Sequence, residues 1–299
     1  MSVDATVALR AAADHTPGGS QATSGPRPAP TSRMPRRGLL VALLAALLAA
    51  GSLAAAPAPV SAAGIKVAVV VGPAGSLTSS YIRSARGYAA QARSYGATVV
   101  EVYTPNATWA RVRAAASGAN LFVYLGHGNG FPNPYHSILD PKKVDGVGLN
   151  PYAGSGNTRT RYYGESYVDG SFALAPDAVV VLNHLCYSTG SSEPGHPKPT
   201  TTVARKRVDN YGAGFIRAGA KAVVATLGDA SYVIRSLFRS DATIEDIFWS
   251  DPGATGAYRM ASSSLRTPGA KVLLDPQRPG VYYRSLVGDV SHTAAAWRE

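Results

Sequence analysis

The chain predicts an α/β protein with a mostly parallel central sheet flanked by helices. Three observations predict it. Short apolar runs rich in Val, Ile and Ala alternate with segments of helical period between residues 65 and 226. The helical segments are about 10–18 residues long, the length of right-handed crossovers between parallel strands. Most of the runs stop at Gly, Pro, Ser or Asn, residues that favour turns.

Each element follows from its own residues. Ile65–Val71 is an apolar strand, closed by Gly72-Pro73 and the Gly75-Ser76 loop. From Thr78 to Tyr95, Tyr81, Ala85, Tyr88 and Ala92 recur near helical spacing, and Gly96 supplies the residue after the helix end. Ala97–Tyr103 is the second strand. Asn106-Ala107-Thr108 is a glycosylation-type sequon that also caps a helix over 108–117, whose Trp109, Val112 and Ala116 face the sheet. Asn120–Leu125 is the third strand. Residues 129–177 are rich in Gly, Pro, Tyr and Asn and weakly periodic, and a loop of that length in a compact domain is usually functional or flexible. Within it, Tyr162–Glu165 and Tyr167 suggest one short element. The run at 178–183 is the central strand, followed by the polar loop 191–198. A helix over 203–218 carries Val208, Tyr211, Phe215 and Ile216 on one side, and Ala220–Thr226 is the next strand. Two helices over 231–238 and 242–250 precede Lys271–Leu274 and Val281–Leu286, which read as a β extension of the same domain.

The first 63 residues have a different character. Residues 1–33 are rich in Ala, Pro, Ser, Thr and Gly and read as a disordered extension, or as residues ahead of a later start at Met34. Arg36 and Arg37 then precede the apolar run Gly38–Ala50, and Val60–Ala63 fits small-residue cleavage: residues 34–63 are a signal peptide. The run is shorter than the ~20 residues that span a bilayer. Arg36-Arg37-x-Leu-Leu resembles a twin-arginine signal with Pro35 where Ser or Thr is usual, so Sec and Tat export both stay open. Residues 64–299 form one domain, secreted or cell-wall associated. This part carries 24 basic and 16 acidic residues, net +8. Anionic wall polymers, nucleic acid and acidic peptides would all suit that charge. The basic residues are scattered, however, except at Arg205-Lys206-Arg207, which points to a solvated surface, no specific nucleic-acid partner, and no membrane once the signal is cleaved.

Cys186 is the only cysteine, so no internal disulfide forms: the thiol is buried and inert, paired between chains, or chemically active. It lies just past the apolar run Ala178–Asn183. Upstream by about sixty residues, Leu121–Leu125 runs into Gly126-His127-Gly128-Asn129-Gly130. Ligands of parallel sheets bind beyond the carboxyl ends of strands, where both His127 and Cys186 fall. In a catalytic pair the Cys186 thiolate attacks a carbonyl carbon and His127 handles protons. Gly128 lets substrate backbone come close, and the amides of Gly128 and Cys186 would form an oxyanion hole, worth ~3–4 kcal/mol per donor in other enzymes. A structural cysteine beside a loop histidine is the plainer alternative; two strand ends, the glycine flanks and export favour chemistry. A metal site from His127, His136, His184 and His196, with or without Cys186, lacks any tight ligand spacing, so no metal and no cofactor are expected. The 126–130 loop lacks the Gly-Lys-Ser/Thr end of a phosphate loop, and Ser188 lacks the Gly-x-Ser-x-Gly elbow.

The order of apolar strand, His-Gly, about sixty residues, apolar strand and Cys resembles the caspase-like cysteine peptidases: caspases, legumains, gingipains, clostripain, separase and the bacterial CHAT proteins. Tyr211–Thr226 is similar to the "helix, Ala-Gly-Ala, strand" segment of CHAT domains, and the resemblance covers about residues 65–250. It implies a three-layer caspase-like fold and hydrolysis of a peptide or protein substrate, with Cys186 as nucleophile and His127 as proton donor. The chain departs from the family before the nucleophile. Caspases carry Gln-Ala there, and Arg/Lys-specific relatives often carry an acidic residue two positions before the cysteine; here His184-Leu185 stand instead. Strand alternation would put His184 on the face of Cys186, lining the pocket for the residue before the scissile bond. Asp229, at the end of the next strand, would favour a basic residue in that pocket, or would cap the helix starting at Ser231. A second role is open to the same domain: binding a surface or the cell wall without hydrolysing peptides.

Overall fold

A computed structural model of the chain describes residues 64–299; the expected N-terminal extension and signal peptide lie outside the described residues. The elements run β1 (Lys66–Val71), α1 (Thr78–Ser94), β2 (Thr98–Tyr103), α2 (Trp109–Ala116), β3 (Leu121–Leu125), β4 (Val147–Leu149) and β5 (Arg161–Tyr163). They continue with α3 (Glu165–Ser171), β6 (Ala178–Asn183), α4 (Thr201–Arg217), β7 (Ala220–Thr226), α5 (Ser231–Arg239) and α6 (Ile244–Trp249). Strands β8 (Met260–Ser263), β9 (Lys271–Arg278) and β10 (Val281–Gly288) follow, and α7 (Ala294–Trp297) ends the chain.

Eight strands form one sheet in the order β2-β1-β3-β6-β7-β10-β9-β8, and β4 and β5 make a separate antiparallel ribbon. In this sheet β2, β1, β3, β6 and β7 are parallel to one another. The last three are antiparallel, with β10 between β7 and β9. The α/β class with a mostly parallel sheet is therefore as the sequence predicts. The expected β extension forms three of the eight strands at one end of the main sheet, and it includes β8, which no sequence pattern marked.

Alternation along each strand divides the core between two faces. Ala68, Val70, Phe122, Tyr124, Val180 and Leu182 pack on one face with α2, α3 and α4. Val67, Val69, Val123, Val179, Val181 and Val224 pack on the other with α1, α5, α6 and Trp297. Helices thus cover both faces, and strands buried on both faces must be the continuous apolar runs from which they were read. The helices meet the core through the expected residues: Ala85, Tyr88 and Ala92 of α1, and Val208, Tyr211 and Phe215 of α4, are all buried. Gly96 closes α1 at φ +92, a left-handed conformation that glycine takes without cost.

The carboxyl edge of the sheet is pinned by one buried side chain. Asn183, the last residue of β6, donates from Nδ2 to the carbonyls of Thr226 (3.1 Å) and Gly228 (2.7 Å), so the ends of β6 and β7 move together. Its Oδ1 accepts from the Tyr88 hydroxyl of α1 (3.1 Å), which in turn accepts from the Ala230 amide (3.0 Å). A buried amide with its partners satisfied fixes geometry as well as adding stability.

Candidate active site at the carboxyl edge of the sheet

β3 and β6 are adjacent, parallel and level: Leu125 is in register with Asn183. The chain leaves both strands at the same height, so His127, two residues past Leu125, and Cys186, three past Asn183, emerge side by side. Gly128 is the point of closest approach. A Cβ added there would overlap the Cys186 carbonyl oxygen and lie 2.8 Å from the Cys186 nitrogen and 2.7 Å from the Tyr211 hydroxyl, so only glycine fits. Among the described residues, no other residue accepts from the Gly128 or the Cys186 amide, and the Cys186 amide turns towards its own thiol. Both donors lie where the chain passes close to itself.

The loop holding His127 is tied down from below. The Tyr124 hydroxyl donates to the Gly148 carbonyl (2.6 Å) and accepts from the Gly148 amide (2.9 Å). The Asn129 amide donates to the Tyr211 hydroxyl (2.8 Å), and the Phe131 amide donates to Oδ1 of Asp145 (2.9 Å). Asp145 is fully buried, its Oδ2 has no partner, and burial holds its carboxyl well above the usual carboxylate range. The floor of the loop is rigid while the His127 side chain is exposed.

Around Cys186 the backbone is unusual. His184 and Tyr187 have φ of +63° and +69°, a left-handed region that residues with a Cβ seldom enter and that clusters at functional sites. The half-buried Cys186 thiol is pushed up to about 12, first by burial and then by the Glu193 carboxylate. Partial desolvation of its ring by the neighbouring loops also lowers His127 from its ordinary value, with Glu193 working against the shift, although the residue stays open to solvent. At neutral pH the thiol and the imidazole are both mainly uncharged.

The alternation argument for His184 does not hold. β6 ends at Asn183, and the left-handed turn at His184 sends its ring onto Tyr81 of α1, stacked at 5.0 Å between centroids. Cys186 instead packs against the core of the opposite face. Asp229 caps the start of α5, as one of its two expected readings has it: it accepts from the Ser231 amide (3.2 Å) and hydroxyl. It also lines a cleft of about 430 Å³ at the end of β7, together with Tyr232, Arg235, Asp251, Tyr283 and Arg284. The carboxylates of Asp251 and Asp275 are both paired with Arg284, whereas Asp229 has no cationic partner among the described residues. Among the described residues, no three His, Cys, Asp or Glu side chains converge to hold a metal ion. Nε2 of His136 lies 3.3 Å from the side-chain Nδ2 of Asn129, and His196 sits beside Tyr135 and Glu193.

Sequence reasoning missed two contributors. Glu193 faces the pair from the loop after Cys186, and its carboxylate accepts from the Tyr135 hydroxyl (2.7 Å), joining the 191–198 loop to the 131–140 loop. It is the only acidic residue in Ser191–Lys198, the signal that would have found it. Arg207, the last of the three consecutive basic residues at 205–207, is buried. It lies four residues before Tyr211 and therefore on the same side of α4, which was the available clue.

No protein-family model matches the chain, and no curated protein matches it. Among solved structures, the crystal structure of protein GSU0716 from Geobacter sulfurreducens is similar at a TM-score of 0.32 and 14% sequence identity, over 62% of this chain and 86% of that one. A likeness this slight bears on neither fold nor function.

Proposed function

We propose that the protein is an exported, caspase-like cysteine endopeptidase, with Cys186 as nucleophile and His127 as general acid and base. The observation that supports the reading is the close approach of Gly128, the residue after His127, to the Cys186 backbone at the ends of two neighbouring strands, with the Gly128 amide unpaired among the described residues. The resting pair is neutral, so the chemistry starts with a proton transfer. Sγ of Cys186 adds to the scissile carbonyl carbon as its proton passes to His127, and the developing oxyanion is met by the amides of Gly128 and Cys186. His127 then gives the proton to the leaving amine as the C–N bond breaks. Water, deprotonated by the same imidazole, hydrolyses the thioester and returns the thiol.

The residue before the scissile bond is met by the part of the edge that holds Asp229. The His184 imidazole, stacked on Tyr81, is lowered by burial with Asp229 opposing the shift, and adds no positive charge against Asp229 at pH 7. Asp229 then supplies the negative charge and favours a basic side chain. Purified protein lacking residues 1–63 should cleave members of a peptide library varied at the residue before the cut, and Cys186→Ala should abolish cleavage. Equal turnover by the Cys186→Ala protein would end the peptidase reading.

A second reading keeps the domain and drops the hydrolysis: it binds a surface or the cell wall. The thiol pushed up to about 12 favours it, because a thiol so reluctant to ionise is a poor nucleophile without help. Retention of the Cys186→Ala protein on isolated cell walls, at the level of the unaltered protein, would support this role.

A further inference from the structure

The loops that carry His127 and Cys186 are joined by one buried side chain, and we infer that Arg207 is a positioning residue that sets the distance between them. The inference rests on the reading that His127 and Cys186 act as a pair. Arg207 projects from α4 and is 5% exposed. Its Nε donates to the Pro132 carbonyl (2.7 Å), five residues beyond His127. Its Nη1 donates to the Gly190 carbonyl (3.0 Å) and the Ser192 hydroxyl (3.1 Å), four and six residues beyond Cys186. The guanidinium carbon lies 4.7 Å from the ring centroid of Tyr187, the residue next to the thiol.

Among the described residues, no carboxylate forms an ion pair with Arg207. A buried cation left without an anion is costly unless its donors are satisfied in another way. Here two carbonyls, a hydroxyl and an aromatic face do so, and each belongs to one of the two loops. The planar fork of arginine reaches both loops at once; a lysine ammonium on its flexible stem has no such geometry. Neighbours on the same side of α4 reach the histidine loop alone. Asn210 donates to the Phe131 carbonyl (2.8 Å), and the Tyr211 hydroxyl accepts from the Asn129 amide (2.8 Å). Arg207 is thus the member of this row that also grips the cysteine loop. Gly128 meets the Cys186 backbone with no room to spare, so releasing either loop shifts His127 against Cys186.

The test compares Arg207→Met, Arg207→Lys and Ser192→Ala, with thermal unfolding and circular dichroism to establish folding. The main readout is the rate of Cys186 alkylation by iodoacetamide as a function of pH, which needs no peptide substrate. With the tie cut, the thiol becomes more exposed: Arg207→Met should alkylate at least about tenfold faster at pH 8, on the scale at which a small displacement changes rates. Its pH midpoint should fall from about 12 towards that of an ordinary thiol. Arg207→Lys should behave like Arg207→Met, because charge without the fork does not bridge the loops, and Ser192→Ala should move the same way by less. On peptide substrates kcat should drop with little change in KM. Folded Arg207→Met and Arg207→Lys proteins with the unaltered rate and pH midpoint would overturn the inference. If Arg207→Met does not fold, Arg207→Lys and Ser192→Ala decide by the same measurement. Equal peptide turnover by Cys186→Ala would defeat the peptidase reading and leave the alkylation result standing.

Discussion

Cys186 is held between two residues in left-handed backbone, and its ionisation follows from that setting. A thiol pushed up to about 12 should react with iodoacetamide slowly at pH 7, with the rate still climbing beyond pH 10; mass spectrometry across a pH series checks this. Stability follows the same shift. The folded thiol holds its proton more tightly than the unfolded one at its ordinary 9.0, so its contribution is intact below pH 9 and is lost as pH rises from 9 towards 12. Cys186→Ala should flatten the alkaline limb of a stability-against-pH curve measured by urea unfolding. His127→Ala should lower kcat/KM by about 10²–10⁴-fold, the usual contribution of a positioned acid and base, with the melting temperature nearly unchanged because the side chain is exposed. The two candidate residues were legible because each interrupts an apolar run next to turn-forming residues. The direction of His184 was not legible. Alternation holds only while the chain remains a strand, and no residue type announces that β6 stops at Asn183 with a left-handed turn behind it.

At the scale of elements, α4 is the platform of the site, and its fit to the sheet depends on a small residue. Gly212 faces β10, and an added Cβ would collide with Cγ1 of Val287. In a free helix Gly→Ala would stabilise by about 1 kcal/mol. Here overpacking reverses the sign, and Gly212→Ala should destabilise by about 1–3 kcal/mol in urea titration, with Val287→Ala in the same chain recovering part of the loss. The helical period of Val208, Tyr211 and Phe215 made this helix readable from sequence. The 129–177 segment was less readable because its β4–β5 ribbon has only three residues per strand, too few for alternation to register. Its anchor was hidden for another reason. Glu165, 2% exposed, pairs with Arg217 and Arg266, which lie 52 and 101 residues away in the chain, a partnership that no local pattern encodes.

For the whole molecule, the sequence order of the strands is not their order in space. The alternation of strand and helix up to β7 made the parallel half legible. The partner of β7 was not, because it comes from the last strand of the chain, Val281–Gly288, placed between β7 and β9. A chain ending at Pro268 would lack β9 and β10, leaving the buried row Ala222, Val223, Val224 and Ala225 of β7 without its neighbour. Such a chain should fail to give a cooperative melting transition and should bind a hydrophobic dye, whereas removing residues 1–63 should do neither. Chain synthesis gives the same feature a direction in time. A polypeptide delivered amino end first presents β1 to β7 with one long edge unpaired, and that edge is satisfied only when the final strands arrive. Completion of the fold therefore waits for the end of the chain, and until then the open edge of β7 is the place where another molecule's strand, or a chaperone, finds a partner.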